Sequence, residues 1–166
     1  KLNELLETIE KEKKILNSNI PIVVKISPDI DDNDIAKITD VFLKYNVGAI
    51  IVSNTSDRSR EKLNDIQGHQ KGGLSGKPIE EKSTNLINKF YNILNGKIKI
   101  IGVGGVDSGI SAYKKFLAGA DYIQLYTGMV YRGPNIVNII KKELKELLIK
   151  DGVKNYKEII GKKRIS

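Results

Sequence analysis

The segment 97–128 constrains the fold most strongly, because strand-forming and glycine-rich runs alternate in it with few residues to spare. A β-branched run at 97–101 leads into the sequence GVGGV, whose three glycines allow a tight turn. Ser108 is a typical helix N-cap and Gly119 a typical helix end, and a second apolar run at 122–125 leads into the sequence YTG. This order predicts two parallel strands joined by a helix, each leaving the sheet through a turn that exposes backbone amides.

The rest of the chain supplies two more strand–helix units, with strands predicted at 20–26 and 49–52. Helices are predicted at 2–16, from 31–34 to 47–48, from Ser83 or Thr84 to Gly96, from Pro134 to Leu148 and briefly at 156–160. Four strands that alternate with helices predict an α/β fold with a parallel sheet of four βα units. Such units form either an open doubly wound sheet or half of a (β/α)8 TIM barrel, since a closed barrel needs about 250 residues.

The composition of the 166 residues excludes several kinds of site. There is no cysteine, which excludes disulfides, thiolate zinc sites and iron–sulfur clusters within the chain. The single histidine, His69, has no acid at metal-ligand spacing, so we predict a polar loop residue and no metal site. The net charge is +8, of which +5 lies in 141–164 on the polar face of a predicted helix and in its tail. This pattern favours a solvated helix face over a nucleic-acid partner.

Residues at the carboxyl ends of the four predicted strands are the candidates for ligand binding. A buried Lys25 would need an anion such as a phosphate or an electron-rich cofactor ring, whereas an exposed one would extend into water. Asn54 and Thr55 suit recognition of a planar, amide-containing ligand, although a strand-to-loop Asx turn is the alternative. The remaining candidates are Ser53, which precedes Asn54, and the residues after the third and fourth strands, namely Gly104, Gly105, Tyr126 and Thr127.

Two glycine-rich motifs lack the spacing of common nucleotide sites. The sequence GGLSGKP at 72–78 lacks the spacing of a P-loop, and GVGG at 102–105 does not fit the dinucleotide pattern G-x-G-x-x-G. A mononucleotide phosphate held between the exits of the third and fourth strands fits better. The polar segment 53–78 has the length of a binding loop, and we predict that it acts as a lid over a substrate.

Five motifs in a fixed order make the chain similar to the C-terminal half of the class 2, quinone-dependent dihydroorotate dehydrogenases. They are VKISPD at 24–29, SNT at 53–55, GGLSGKP at 72–78, IIGVGGV at 100–106 and QLYTG at 124–128. The resemblance covers about residues 20–162 and implies half of a (β/α)8 barrel. The chain would then divide into a leading helix at 1–19, the strands and site loops at 20–133, and C-terminal helices with a basic tail at 134–166.

The resemblance also implies an activity. Such an enzyme is a flavoprotein that uses FMN to oxidise dihydroorotate to orotate in pyrimidine (UMP) biosynthesis, and it passes the electrons to a quinone. It implies that the N-terminal half of the same barrel is a partner of this chain. It further implies peripheral association with a bacterial cytoplasmic or mitochondrial inner membrane, through a segment that precedes Lys1.

The resemblance assigns roles to individual residues. Lys25 matches a lysine that contacts the flavin and favours its reduced ring, and Ser53 stands where the family usually has threonine. Asn54 and Thr55 match a pair that hydrogen-bonds the substrate. The other implied flavin-binding residues are Gly76, Gly104, Gly105, Tyr126 and Thr127. The family's base, a serine in class 2, belongs to the N-terminal half, so we expect no catalytic residue here and an inactive isolated chain.

Two alternative functions follow from the same residues. One is a class 1 dihydroorotate dehydrogenase that uses fumarate or nicotinamide, or another barrel that binds flavin or phosphate. The other is a non-catalytic basic module, whose affinity for nucleic acid would fall steeply with salt.

Overall fold

A computed structural model of the protein describes residues 1–58, 60, 63–64, 68 and 70–162. Much of the middle of the predicted lid, including His69, lies outside the described residues, as does the end of the basic tail at 163–166.

The four strands form one parallel sheet whose spatial order is the order of the chain. The strands are β1 (Val23–Ile26), β2 (Ala49–Val52), β3 (Lys99–Gly102) and β4 (Tyr122–Ile123). Their register aligns Lys25, Ile51, Ile101 and Tyr122 across the sheet. The order never reverses, as it must in a doubly wound sheet, so the arrangement is that of consecutive units of a (β/α)8 barrel.

Within the described residues, six α-helices accompany the strands, and their caps follow from the sequence. They are α1 (Leu2–Ile15), α2 (Asp32–Lys44), α3 (Glu80–Leu94), α4 (Gly109–Ala118), α5 (Thr127–Arg132) and α6 (Ile136–Lys150). Short 3₁₀ turns cover Lys77–Ile79 and Tyr156–Ile159. The side chain of Asp31 accepts a hydrogen bond from the Asn33 amide at 2.9 Å, and Ser108 forms a capping box with Ser111. Both caps are polar residues that stand just before the apolar stripe of their helix, which is the usual position of an N-cap.

The first and fourth strands are shorter than predicted, at Val23–Ile26 and Tyr122–Ile123, and three details of the predicted helices are wrong. Helix α3 begins at Glu80 rather than at Ser83 or Thr84, because the turn containing Pro78 starts the helix and buries both hydroxyl residues inside it. Thr127 and Gly128 begin helix α5 instead of forming a loop. Helical spacing predicts that Ile110 lies on the apolar face of α4 with Tyr113 and Phe116, but Ile110 is 48% exposed.

The core lies on one side of the sheet. Ile26, Ile50 and Ile100 point towards the helices and are at most 5% exposed, packed in the same cluster as Phe42 and Phe90. The opposite face is not covered to the same extent by the described residues, since Val23 is 45% and Tyr122 is 55% exposed. The continuous apolar runs of the sequence predict strands buried on both faces, and the less covered face is the one that points into the interior of a complete barrel.

Candidate functional site

A pocket of about 110 Å³ lies where the four strands end, and we call it the strand-exit pocket. It brings together all of the predicted ligand-binding residues, namely Lys25, Ser53, Asn54, Thr55, Gly76, Gly104, Gly105, Tyr126 and Thr127. Ser75, Ile79, Val103, Val106, Leu125 and Gly128 complete its lining. Residues that are far apart in the chain therefore share one surface, because parallel strands end at the same edge of a sheet.

Backbone hydrogen bonds continue beyond the strands and fix their exits relative to one another. The amide of Ser53 donates to the carbonyl of Val103 at 3.2 Å, and the Val103 amide donates to Val52 at 2.7 Å. The Asn54 amide donates to the carbonyl of Ile26 at 2.7 Å. The first three exits thus form a rigid rim, on which Asn54 and its neighbours are held in place.

The turn after β3 contains two consecutive glycines that line the strand-exit pocket, and we call it the glycine cradle. Gly104 and Gly105 have φ angles of +107° and +74°, a region that residues with a Cβ rarely adopt. A Cβ on Gly105 would lie 2.7 Å from the Cα of Glu80, so no side chain fits there. Within the described residues the amides of Gly104 and Gly105 have no acceptor. Two bare N–H groups beside a pocket are the donors that a phosphate needs, so the residues present fit a phosphate-bearing cofactor.

The long loop after β2 is closed at its base. Ser56 and Leu74 form an antiparallel bridge, with N···O distances of 3.0 and 2.7 Å between their backbones. The carboxylate of Asp29 accepts hydrogen bonds from the Ser56 hydroxyl at 2.7 Å and the Asp57 amide at 2.8 Å, and it forms an ion pair with Lys82. Burial opposes ionisation of Asp29, but these hydrogen bonds outweigh it and lower its pKa. Both ends of the loop are therefore anchored to β1 and α3.

Two glycines let the loop lie against the proposed site residues. The Cα of Gly73 approaches Thr55 so closely that a Cβ there would overlap the threonine side chain. Gly76 has a φ angle of +76°, and a Cβ on it would lie 2.9 Å from Cγ2 of Thr127. The second half of the loop is consequently held against the exits of both β2 and β4.

The charge in the strand-exit pocket is positive. Lys25 lies on the open face of the sheet and is exposed, and within the described part of the chain it forms no ion pair. No carboxylate, histidine or cysteine is among the lining residues. The hydroxyl of Ser53 donates to the carbonyl of Asn54 at 3.0 Å. The pocket therefore offers a cation and neutral hydrogen-bonding groups.

Sequence reasoning missed several residues that support the pocket. Asp29 lies three residues after the end of β1, and this position at a strand exit was a usable signal for a structural role. Ser83 and Glu80 on α3 contact the glycine cradle, and Lys115 on α4 is buried behind it. The sequence gives no signal for these three, since they are polar residues within helices whose apolar stripes predict burial for other positions.

Two further observations concern metals and membranes. No group of three or more histidines, cysteines and acidic residues suited to a metal ion occurs among the described residues. None of the helices within the described ranges is long and apolar enough to cross a membrane.

Comparison with known proteins places these features in a family. The family model for dihydroorotate dehydrogenase matches residues 1–148. The dihydroorotate dehydrogenase (quinone) of Aliivibrio salmonicida is 40% identical over 145 residues, which is 84% of this chain and 43% of that protein. The mitochondrial dihydroorotate dehydrogenase (quinone) of Arabidopsis thaliana is 44% identical over 142 residues, covering 85% of this chain and 31% of that protein.

Solved structures agree with the sequence comparisons. A crystal structure of DHODH from Eimeria tenella in complex with ferulenol superimposes with a TM-score of 0.82 at 38% identity, covering 87% of this chain and 38% of that one. The predicted family and the predicted partial (β/α)8 barrel are both confirmed. The chain spans less than half the length of these relatives.

Proposed function

The chain belongs to the dihydroorotate dehydrogenase family, in its quinone-dependent class, and we propose that it forms part of an enzyme that oxidises dihydroorotate to orotate. The cofactor is FMN, the electron acceptor is a quinone, and the reaction serves pyrimidine biosynthesis. One observation carries the proposal: the residues that the resemblance assigns to flavin and substrate line a single pocket at the strand exits.

The glycine cradle and the start of α5 hold the FMN phosphate. The free amides of Gly104 and Gly105 supply donors, and Thr127, the first residue of α5, lines the same pocket. Tyr126 lines the same pocket as the glycine cradle, and the residue is 78% exposed. Its ring is therefore available to cover the cofactor. Charge-assisted hydrogen bonds to phosphate are among the strongest that a backbone can make.

Lys25 and the residues after β2 act on the other end of the cofactor and on the substrate. When bound, FMN supplies the two-electron acceptor for the hydrogen removed from dihydroorotate. Lys25 is the fixed cation of the pocket and stabilises negative charge that develops there, while Ser53 positions the neighbouring backbone. Asn54 and Thr55 orient the amide groups of the pyrimidine through their side-chain donors and acceptors.

The proton-abstracting base comes from outside this chain. The resemblance places the serine base of class 2 in the N-terminal half, and the open face of the sheet leaves room for residues of a companion segment. We propose that the first half of the same barrel supplies the base, and that a segment outside this chain supplies peripheral contact with a bacterial cytoplasmic or mitochondrial inner membrane.

The test uses the full-length protein. We expect it to purify with FMN, identified by absorbance and mass after heat release, and to reduce a soluble quinone in the presence of dihydroorotate. Fumarate and NAD⁺, offered in parallel assays, should support turnover poorly. A full-length protein without bound flavin, or one that prefers fumarate or NAD⁺, would contradict the proposal.

A further inference from the structure

Lys115 is a fully buried lysine that lies behind the strand-exit pocket. It belongs to α4, and its side chain has no exposed surface. Its stem packs against the end of β3, where a Cβ on Gly102 would lie 3.2 Å from the lysine Cδ. The side chains of Ile87 and Ala120 lie 3.0 and 3.1 Å from the same position, so Gly102 leaves room for all three side chains. An ammonium group is expensive to bury, so its position requires partners and a reason.

The partners of Lys115 are two hydroxyl groups that reach the glycine cradle. Its Nζ atom donates to Oγ of Ser83 at 3.2 Å and to Oγ1 of Thr84 at 3.1 Å. The Ser83 hydroxyl in turn donates to the carbonyl of Val103, the residue before the cradle. The Thr84 hydroxyl donates to the carbonyl of Glu80 at 2.7 Å. We call these two chains of hydrogen bonds, from Lys115 through Ser83 to Val103 and from Lys115 through Thr84 to Glu80, the two relays. Both relays begin at the ammonium group of Lys115.

Both relays end on backbone that shapes the cradle. Val103 precedes Gly104 directly, so its carbonyl fixes the peptide plane that carries the Gly104 amide. Glu80 is the residue against which Gly105 packs. Oγ of Ser83 also lies 3.4 Å from the carbonyl of Val52, at the exit of β2. A positive charge at the head of each relay strengthens the hydrogen bonds that follow it.

We infer that Lys115 is a positioning residue for the FMN phosphate: through Ser83 and Thr84 it fixes the carbonyls of Val103 and Glu80. In this way it directs the amides of the glycine cradle into the pocket. This inference rests on the proposed function. Lys115 does not touch the cofactor, and its effect on binding is confined to the phosphate end.

The experiment compares two flavins that differ only by the phosphate. The full-length apoprotein is titrated with FMN and with riboflavin, and binding is followed by quenching of flavin fluorescence. We expect Lys115→Met to weaken FMN binding roughly tenfold and to leave riboflavin affinity within a factor of two. Ser83→Ala retains the ammonium and one relay, and should weaken FMN binding by a smaller factor with the same selectivity.

Lys114→Met is the matched control. Lys114 is the neighbouring lysine on α4, is mostly exposed and lies 3.6 Å from Oε1 of Glu80, but has no bond to Ser83 or Thr84. It should change neither affinity. Unchanged FMN affinity in both Lys115→Met and Ser83→Ala would overturn the inference, as would an equal loss of both flavins. Absence of any flavin binding by the unaltered protein would instead overturn the proposed function, and this inference with it.

Discussion

The hydroxyl of Thr127 donates a hydrogen bond of 3.0 Å to the hydroxyl of Ser75. This contact joins the first residue of α5 to the second half of the long loop after β2, 52 positions away in the chain. Gly76 lies beside it and presses against the Thr127 methyl group. Two proposed flavin contacts are consequently held together by the protein itself, and the side chain of Thr127 supports the pocket as well as lining it.

The first prediction separates the hydroxyl of Thr127 from its shape. Thr127→Val keeps the volume but loses the hydrogen bond to Ser75 and any bond to phosphate, whereas Thr127→Ser keeps the hydroxyl. A hydrogen bond to a charged group contributes about 1.5–3 kcal/mol, so we expect Thr127→Val to weaken FMN binding by roughly tenfold or more. Thr127→Ser should stay within a few-fold of the natural protein. Equal FMN affinity of the two variants, measured by titration of the apoprotein, would contradict this assignment.

The second prediction concerns the close approach of Gly105 to Glu80. Gly105→Ala adds a methyl group at a φ angle of +74°, and it also drives that group into the backbone of α3. Gly96→Ala is the control, since Gly96 has a φ angle of +77° but nothing within 4 Å of its Cβ position. Backbone strain alone costs about 1–2 kcal/mol, and both variants share it. We expect only Gly105→Ala to lose FMN in the purified full-length protein. Full flavin content in that variant would exclude the cradle as the phosphate site.

The ends of the strands were predictable from the sequence because each buried parallel strand is a short apolar run that stops at glycine or polar residues. Apolar runs bounded by glycine and polar residues located β2 at its observed bounds, and the residues that follow each run, such as Asn54 and Thr127, reach one pocket. The topology then brings them together without further information, since all carboxyl ends lie at one edge. The sequence thus predicts which residues share the pocket, and their roles in binding stay a prediction.

The residues behind the pocket were not predictable, for a different reason. Ser83 and Thr84 lie within α3 and Lys115 lies within α4, away from the helix ends, and polar residues at such positions normally face solvent. Their burial arises from the packing of α3 against α4 and from space that Gly102 leaves, and neither is visible in a one-dimensional pattern. The start of α5 at Thr127 was missed similarly, because the sequence YTG is as typical of a turn as of a helix N-terminus.

The third prediction tests Lys25 as the cation of the pocket. Replacing it by Met removes a positive charge beside the proposed flavin ring, which makes reduction less favourable. We expect Lys25→Met to lower the flavin reduction potential of the full-length enzyme by roughly tens of millivolts. Lys99→Met is a suitable control, because Lys99 lies at the opposite end of the sheet and pairs with Asp121 at 2.8 Å. A potential unchanged by Lys25→Met, in dye-equilibration measurements, would refute this role.

The fourth prediction follows from the cost of burying Lys115. Burial lowers the pKa of Lys115 from 10.5 to about 8, and the carboxylate of Glu80, which also pairs with Lys77 and Lys114, offsets this only partly. Between pH 8 and 10.5 the unfolded chain binds more protons than the folded one, so stability rises with pH across that window. Below pH 8 the full cost of the buried charge, roughly 3 kcal/mol, is present.

Lys115→Met should therefore be at least as stable as the natural protein at pH 7, although it binds FMN less tightly. Its advantage in Tm should shrink as the pH rises from 8 towards 10.5, because the natural lysine becomes neutral in both states. Thermal unfolding of the full-length apoproteins at several pH values measures this. A variant that is much less stable at pH 7, with a difference independent of pH, would indicate a purely structural lysine.

The last prediction is that the chain from Lys1 to Ser166, expressed alone, is neither a stable monomer nor a dihydroorotate dehydrogenase. Within the described residues β1 and β4 each pair with one neighbour, so the outer edge of each strand has unsatisfied backbone groups. The face that carries Lys25, Ile51, Ile101 and Tyr122 in register is also uncovered, and burying such a face normally supplies much of the stability of a barrel.

The experiment measures the oligomeric state of the isolated chain by sedimentation, and its oxidation of dihydroorotate with added FMN and a soluble quinone. We expect self-association or aggregation through the open sheet, weak flavin binding and no turnover, because we assign the serine base to the other half of the barrel. The full-length protein, prepared in the same way, serves as the control for assay and cofactor. A monomer that oxidises dihydroorotate would mean that the base lies within these residues and that the open face does not need a companion segment.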